Sequence, residues 1–169
     1  DTVHSTIIND ADDIASNAWR GQSFSSGATG YLEKIAISIR KYVETGGTTY
    51  LSIYAADVNS KPTGTAIATV SVNRDDLPSS AAFFDFVFNL QLTPLTTYVM
   101  VLNSTARVRW GWNSNNEGLV ASLSSDGGAT WSTTGSLCRS HKTYWSGGSN
   151  DGKFKINVDG TVYDNVSPN

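Results

Sequence analysis

The sequence predicts an all-β fold, an antiparallel β-sandwich of the jelly-roll type, in a single domain that spans residues 1–169. Apolar and polar residues alternate along most of the chain, which is the periodicity of strands with one buried face. Short turns rich in Gly, Asn, Asp and Pro separate about eight to ten such segments, a number that suits two packed sheets. Helical periodicity is weak, and no repeat of about forty residues is present, which excludes a propeller.

The first clear strands lie at residues 31–40 and 50–55, each with aliphatic side chains on one face. Gly46 and Gly47 between them indicate a turn, so we expect these two strands to pair as a hairpin. Residues 82–88 point Phe84, Phe86 and Phe88 to one side, which we expect to be the core.

Residues 98–102 are apolar throughout, as a central strand would be. Further strands are predicted at 66–72, 107–112, 119–123, 130–133 and 153–158. In residues 107–112, Val108, Trp110 and Trp112 share one face of the strand.

The remaining segments are predicted to be irregular. The N-terminal segment, residues 1–20, contains Ala11–Trp19, which we interpret as a loop or a single turn. Residues 136–149 are expected to form a long aromatic loop, and residues 164–169 a frayed tail. The chain begins with Asp1, and we interpret it as a mature or excised fragment.

Composition favours an extracellular β-protein and argues against several partners. Only 16% of the residues are charged, against about 25% in typical domains, and Ser, Thr, Gly and Asn take their place. The net charge is -3 and no basic stripe is present, so we expect no nucleic-acid partner. No apolar run approaches the roughly 18 residues that span a bilayer, so we expect no membrane span.

Catalysis is weakly supported, and we expect that the protein is not an enzyme. Cys138 is the only cysteine, so no internal disulfide can form, and we expect a buried thiol. Cys138 and His141 could be a nucleophile and its base, but no third partner follows from the sequence. No phosphate loop or nucleophile elbow is present.

The residues 124–131 follow the pattern Ser-x-Asp-x-Gly-x-Thr-Trp. The carboxylate of Asp126 can accept hydrogen bonds from backbone N–H groups of its own turn, and Gly127 and Gly128 can take the positive φ that a tight turn needs. Trp131 is expected to bury its ring as the return strand begins. The motif resembles the Asp-box, a β-hairpin motif of sialidase propellers and secreted glycan-handling β-domains.

The order of other segments is similar to that of accessory β-sandwich domains on secreted bacterial and phage-associated proteins, with the layout of jelly-roll carbohydrate-binding modules. The similarity covers roughly residues 20–160. It implies a sandwich fold and a context near sugars, but fold analogy does not establish the ligand. The segments that carry it are Gln22–Phe24, Leu51–Ala55, Lys61–Ala66, Leu92–Val99, Arg109–Trp112, the Asp-box and Gly152–Lys155.

Two aromatic groups are candidates for sugar binding, which needs flat rings and nearby hydrogen-bonding side chains. Trp110 and Trp112 lie on one strand face, and amides and a carboxylate follow them in the chain; the alternative is that both rings fill the core. Tyr144 and Trp145 point to opposite faces if they lie on a strand, so we expect at least one of them to be exposed. The candidate ligand-binding residues are Trp110, Trp112, Asn113, Asn115, Glu117, Tyr144 and Trp145.

An acidic run near the N-terminus is a candidate site for a structural calcium ion. Asp10, Asp12 and Asp13 lie close together, and calcium prefers several oxygen ligands on irregular backbone. The spacing is not that of an EF-hand, and the alternative is a solvated acidic loop.

We therefore expect a non-catalytic module that binds a glycan or polysaccharide as part of a secreted or surface protein. The alternative function is a structural subunit or decoration domain of a virion, a fibre or a cell-surface filament. In that case the exposed rings would contact protein neighbours.

Overall fold

The computed structural model describes residues 2–4, 10–43, 45–113, 118–134, 137–146, 156–158 and 161–163, with side chains described from residue 13 to 112 and, after that, within 118–146. Fifteen strands are found in this part of the chain, together with a short 3-10 helix at Arg74–Asp76. The strands are β1 (Thr2–His4), β2 (Asp10–Ile14), β3 (Trp19–Ser25), β4 (Tyr31–Lys41), β5 (Thr48–Ala56), β6 (Pro62–Asn73), β7 (Ala82–Gln91), β8 (Thr97–Ser104), β9 (Val108–Asn113), β10 (Ala121–Ser124), β11 (Ser132–Thr134), β12 (Cys138–Arg139), β13 (His141–Ser146), β14 (Ile156–Val158) and β15 (Thr161–Tyr163).

The strands form two antiparallel sheets and a separate β14–β15 hairpin. In the first sheet, β7 pairs with one side of β4. On the other side of β4, β13 pairs with its first part and β9 with its last residues. Beyond these, β1 pairs with β13, and β2 and β12 pair with β9. The second sheet has the order β11-β10-β3-β8-β5-β6. The predicted antiparallel β-sandwich is confirmed, while jelly-roll connectivity stays a prediction.

In the described residues a hydrophobic core joins the two sheets. The first sheet contributes Ile35, Ile37 and Ile39 of β4, all fully buried, and the second contributes Leu51 and Ile53 of β5. This is the arrangement that period-two alternation predicts for strands with one face turned inward. Phe86 is fully buried, and Phe84 and Phe88 pack against the core as expected.

The predicted hairpin between the strands at residues 31–40 and 50–55 is wrong. Strand β4 belongs to the first sheet and β5 to the second, so the chain crosses between the layers. Gly46 and Gly47 do adopt positive φ, at 76° and 97°. Alternation determines which face of each strand meets the core, but it leaves open which sheet the strand joins.

Two segments predicted to be irregular contain strands. Within the segment Ala11–Trp19, residues 11–14 belong to β2 and pair with β9 instead of forming a loop or a single turn. The predicted loop at 136–149 contains β12 and β13, and β13 pairs with β4 over residues 141–146. In both cases partners distant in sequence supply the hydrogen bonds that a short strand lacks by itself.

No helix in the described residues has the length and apolar character that a membrane crossing requires.

Candidate functional site

The structure places Trp110 in the core. Its ring is fully buried, its Nε1 donates a hydrogen bond to the carbonyl oxygen of Ser140 at 3.1 Å, and the guanidinium of Arg139 lies 5.7 Å from the ring centroid. The ligand-binding role predicted for Trp110 is therefore corrected, because no part of its ring faces solvent. The reason is that Trp110 shares the inward face of β9 with Val108, which is also fully buried.

Trp112 lies two residues further along β9 and is half-buried. It pairs in register with Arg139 of β12 and with Asp10 of β2, so strands flank it on both sides. Asn113 ends β9, and its side chain lies outside the described part, as do Asn115 and Glu117 altogether. The binding role predicted for these residues stays a prediction.

The adjacent residues Tyr144 and Trp145 point to opposite faces of the first sheet. Trp145 packs against the core, and its ring centroid lies 6.3 Å from that of Phe24 in the opposite sheet. Its Nε1 donates to the hydroxyl of Thr143 at 3.0 Å. Tyr144 is half-buried on the outer face, where the ammonium of Lys34 lies 4.5 Å from its ring centroid.

The outer surface around Tyr144 is the strongest candidate site, and we call it the β4 face. It consists of the outward side chains of β4 and of the strands on either side of it. In register across the sheet, Tyr144 lies beside Lys34 and Val87, and Lys142 beside Ala36 and Asp85. The members of the β4 face are Lys34, Ala36, Ser38, Arg40, Phe83, Asp85, Val87, Arg109, Lys142 and Tyr144.

Small residues form the middle of the β4 face and long side chains form its flanks. The ammonium of Lys142 on β13 lies 4.3 Å from the ring centroid of Phe83 on β7, although these strands are about 10 Å apart with β4 between them. Their side chains therefore extend over β4, which explains why Ala36 and Ser38 are buried despite pointing outward. The Ser38 hydroxyl has no hydrogen-bond partner in the part of the chain that the structure describes.

Charged groups on the β4 face are exposed enough to exchange partners. Lys34 forms an ion pair with Asp85 at 2.6 Å, with side chains that are 33% and 47% exposed. The hydrogen bond to Asp85 raises the pKa of Lys34, while partial desolvation opposes that shift. Exposed pairs of this kind contribute little to stability, so both groups can turn to a ligand at low energetic cost.

At the far end of the β4 face lies a cluster around Asp13. Arg109 donates to its carboxylate at 2.5 Å, Arg107 lies 3.3 Å away, and the Tyr42 hydroxyl donates to it at 3.2 Å. The hydrogen bond from Arg109 is the main reason why the pKa of Asp13 lies below its ordinary value. Both guanidinium groups also lie within 5.0 Å of the Tyr42 ring centroid.

This cluster bears on the predicted calcium site. The carboxylate of Asp13 is already engaged by two arginines, which repel a cation, and Asp10 and Asp12 lie on regular strand rather than on an irregular turn. The side chains of Asp10 and Asp12 lie outside the described part. Elsewhere in the described residues no group of three or more His, Cys, Asp or Glu side chains could hold a metal ion.

The turn at residues 124–131 is held by side-chain hydrogen bonds. The carboxylate of Asp126 accepts from the backbone N–H of Thr130 at 2.9 Å and from the hydroxyls of Thr130 and Ser124 at 2.5 and 2.7 Å. These contacts are the ones expected for Asp126 as a turn residue. Gly128 has positive φ and lies so close to the Trp19 ring that a Cβ would clash with it. Trp131 is only half-buried, so the ring that packs on this turn is that of Trp19.

The Asp126 contacts predict a pH-dependent stability. The hydrogen bonds from Ser124 and Thr130 lower the pKa of Asp126 to about 2 from an ordinary value of 3.8. A carboxylate with a depressed folded-state pKa stabilises the fold above pH 4 and loses that contribution as the pH falls toward 2. We expect the wild type to melt at a higher temperature than Asp126→Asn at pH 7, with a difference that shrinks between pH 4 and pH 2. A difference that stays constant over this range would contradict the expectation.

The pair Cys138 and His141 does not face a surface. Both residues are fully buried, and His141 Nδ1 donates to the carbonyl oxygen of Arg139 at 2.8 Å. Cys138 is a buried free thiol, as predicted. A substrate would have no path to either side chain in this conformation.

Sequence reasoning missed most of the β4 face. Tyr144 was singled out, but Phe83, Lys34 and Arg40 were not, because their proximity depends on β7 and β13 joining opposite sides of β4. The one local signal was the outward spacing of Lys34, Ser38 and Arg40 along β4.

The described part of the chain is an antiparallel β-sandwich, and the outer face of one of its sheets carries aromatic and charged side chains. No protein-family model matches the chain, and comparison with curated proteins and with solved structures finds no significant match.

Proposed function

We propose that the protein is a non-catalytic glycan-binding module and that the β4 face is its binding surface. The observation that carries the proposal is the combination of two aromatic rings, Tyr144 and Phe83, with charged groups on one outer sheet face. Sugars present apolar C–H faces that pack on aromatic rings and hydroxyls that exchange hydrogen bonds with charged side chains.

The geometry favours a chain of sugars over a single one. Lys34 and Arg40 lie six residues apart on β4, which is about 20 Å along the strand. The flanking side chains border this length on both sides. Each ring would contribute about 1 kcal/mol, so one site binds modestly, and the module would serve to tether a partner domain near a polymer.

The binding test compares two tyrosines on opposite outer faces. We expect Tyr144→Ala to weaken binding roughly fivefold to tenfold, the equivalent of about 1 kcal/mol for one lost ring. The measurement is retardation in native gels that contain a panel of neutral and acidic polysaccharides.

Tyr50→Ala is the matched control, because Tyr50 is half-buried on the outer face of the second sheet. Its retardation should equal that of the wild type. The proposal is wrong if no polysaccharide retards the wild type, or if both variants lose binding to the same extent.

Localisation follows from the same proposal. A composition rich in Ser, Thr, Gly and Asn suits a secreted or surface module, which would meet extracellular polysaccharides. The calcium site predicted at Asp10, Asp12 and Asp13 stays a prediction, and glycan binding on the β4 face does not depend on it, because Arg107 and Arg109 already pair with Asp13.

One observation favours the alternative, a structural subunit of a virion, fibre or filament. Within the described residues, strand β6 is an edge of the second sheet that pairs with β5 alone, and it leaves Ile67 46% exposed. An open edge can accept a strand from a neighbouring protein. Pro62 at its start and Gly64 near it weaken this edge for pairing, so glycan binding remains the preferred function.

A further inference from the structure

The charge on the β4 face differs in sign from that of the whole protein. The protein carries a net charge of -3. Around the β4 face, five cationic side chains stand against three carboxylates, a local balance of +2 among the described residues. The cations are Lys34, Arg40, Arg107, Arg109 and Lys142, and the carboxylates are Asp13, Glu33 and Asp85.

Arg40 is the centre of this imbalance. It pairs in register with Arg109 on the neighbouring strand, and like charges directly opposite each other on a sheet are unfavourable. Asp13 engages Arg107 and Arg109. Among the described residues no carboxylate lies within salt-bridge distance of Arg40.

A recess adjoins Arg40. It has a volume of about 260 Å³ and is lined by Arg40, Lys41, Tyr42, Val43 and Ser79. Next to it lies a cleft of about 370 Å³ with Asp75 in its wall. The carboxylate of Asp75 accepts hydrogen bonds from the Gly46 N–H and from Arg74, so its negative charge is engaged away from Arg40.

We propose that the glycan is acidic and that one of its carboxylate or sulfate groups binds in the recess beside Arg40. The inference rests on the proposed function and specifies its ligand class. A guanidinium binds a carboxylate or sulfate through two parallel hydrogen bonds. The acidic group would supply the negative charge that Arg40 lacks, and the sugar chain would extend from there along β4 toward Tyr144.

The test compares polymers that differ in their acidic groups. Polygalacturonate is paired with its fully methyl-esterified form, and chondroitin sulfate with unsulfated chondroitin, so that the two arms separate a carboxylate from a sulfate ligand. We expect the wild type to bind at least one acidic polymer with a dissociation constant about tenfold lower than that for the less charged polymer of the same pair. This preference should fall as the salt concentration is raised. Arg40→Gln should weaken that binding about tenfold.

Lys61→Gln is the control, because it also removes one positive charge, but from a turn that is remote from β4. In that turn the backbone N–H of Lys61 donates to the carboxylate of Asp57. Binding by this variant should equal that of the wild type. Equal retardation by acidic and uncharged polymers, unchanged by Arg40→Gln, would overturn this inference while leaving glycan binding intact. Equal binding to single-stranded DNA of matched charge would also overturn it, since the surface would then recognise polyanions in general. Failure of every polysaccharide to bind would instead overturn the proposed function.

Discussion

Replacing Trp110 with alanine is expected to lower the free energy of unfolding by about 3–5 kcal/mol. The substitution removes the largest fully buried side chain of the described residues and leaves a cavity between the sheets. It also removes the indole N–H that donates to the buried carbonyl oxygen of Ser140, which then keeps the hydrogen bond from the Ser38 N–H but loses this second one. Urea denaturation, followed by circular dichroism and by the fluorescence of the four remaining tryptophans, measures the change.

Tyr144→Ala is the comparison for this prediction, because it is expected to affect polysaccharide binding but to have little effect on stability. Tyr144 lies half-exposed outside the core, so its loss should change the free energy of unfolding by about 1 kcal/mol or less. If instead Trp110→Ala left the stability unchanged and abolished polysaccharide retardation, the assignment of Trp110 to the core would be wrong.

Arg74→Met is expected to lower the free energy of unfolding by about 3 kcal/mol. Arg74 is fully buried, and its Nε and Nη2 donate to the carbonyl oxygens of Arg107 and Tyr42 at 3.1 and 2.6 Å. Methionine keeps much of the apolar stem but no donor, so both carbonyls lose a hydrogen bond. Because Tyr42 also lines the recess beside Arg40, binding of acidic glycan should weaken with the same substitution.

Lys61→Met is the matched comparison for this prediction. It also exchanges a cation for methionine, but at a turn, where surface substitutions usually change stability by about 0.5 kcal/mol or less. Equal stability of Arg74→Met and the wild type would show that packing of the stem, and not the two hydrogen bonds, holds this end of the sandwich.

The sequence predicted the core of the long strands well. Ile35, Ile37 and Ile39 alternate with the small residues Ala36 and Ser38, and hydrophobic burial is enough to turn the face with the larger aliphatic side chains inward. Strand β3 was not predicted as such, because Gly21, Gln22 and Ser23 interrupt its apolar pattern. All three residues are nevertheless buried, since small or hydrogen-bonded polar groups fit where strands lie close together.

Gln22 shows why such a strand escapes sequence reasoning. Its side-chain oxygen accepts from the Arg139 N–H at 2.8 Å, and its amide nitrogen donates to the carbonyl oxygen of Val120 at 3.3 Å. These partners lie about 100 residues away along the chain. The buried amide of Gln22 is therefore satisfied by hydrogen bonds in the fold, but no pattern in the neighbouring sequence predicts its burial.

The candidate site likewise contains one residue that the sequence indicates and others that only the fold brings together. Tyr144 could be selected from sequence because adjacent aromatic residues on a strand cannot both face the core. Arg40 could not, because its significance depends on Arg109 of β9 lying opposite it. The sheet assembles the β4 face from four strands, β4, β7, β9 and β13, whose order in space differs from their order in the chain.

The buried thiol of Cys138 can be used to measure opening motions of the protein. A thiol reagent can reach this sulfur only when the layers separate at β12, so the rate of alkylation in native buffer measures how often that end of the protein opens. With one cysteine in the chain, the signal comes from a single known position without an introduced probe. The difference in labelling rate with and without a saccharide would then show whether an occupied outer face restrains the interior beneath it.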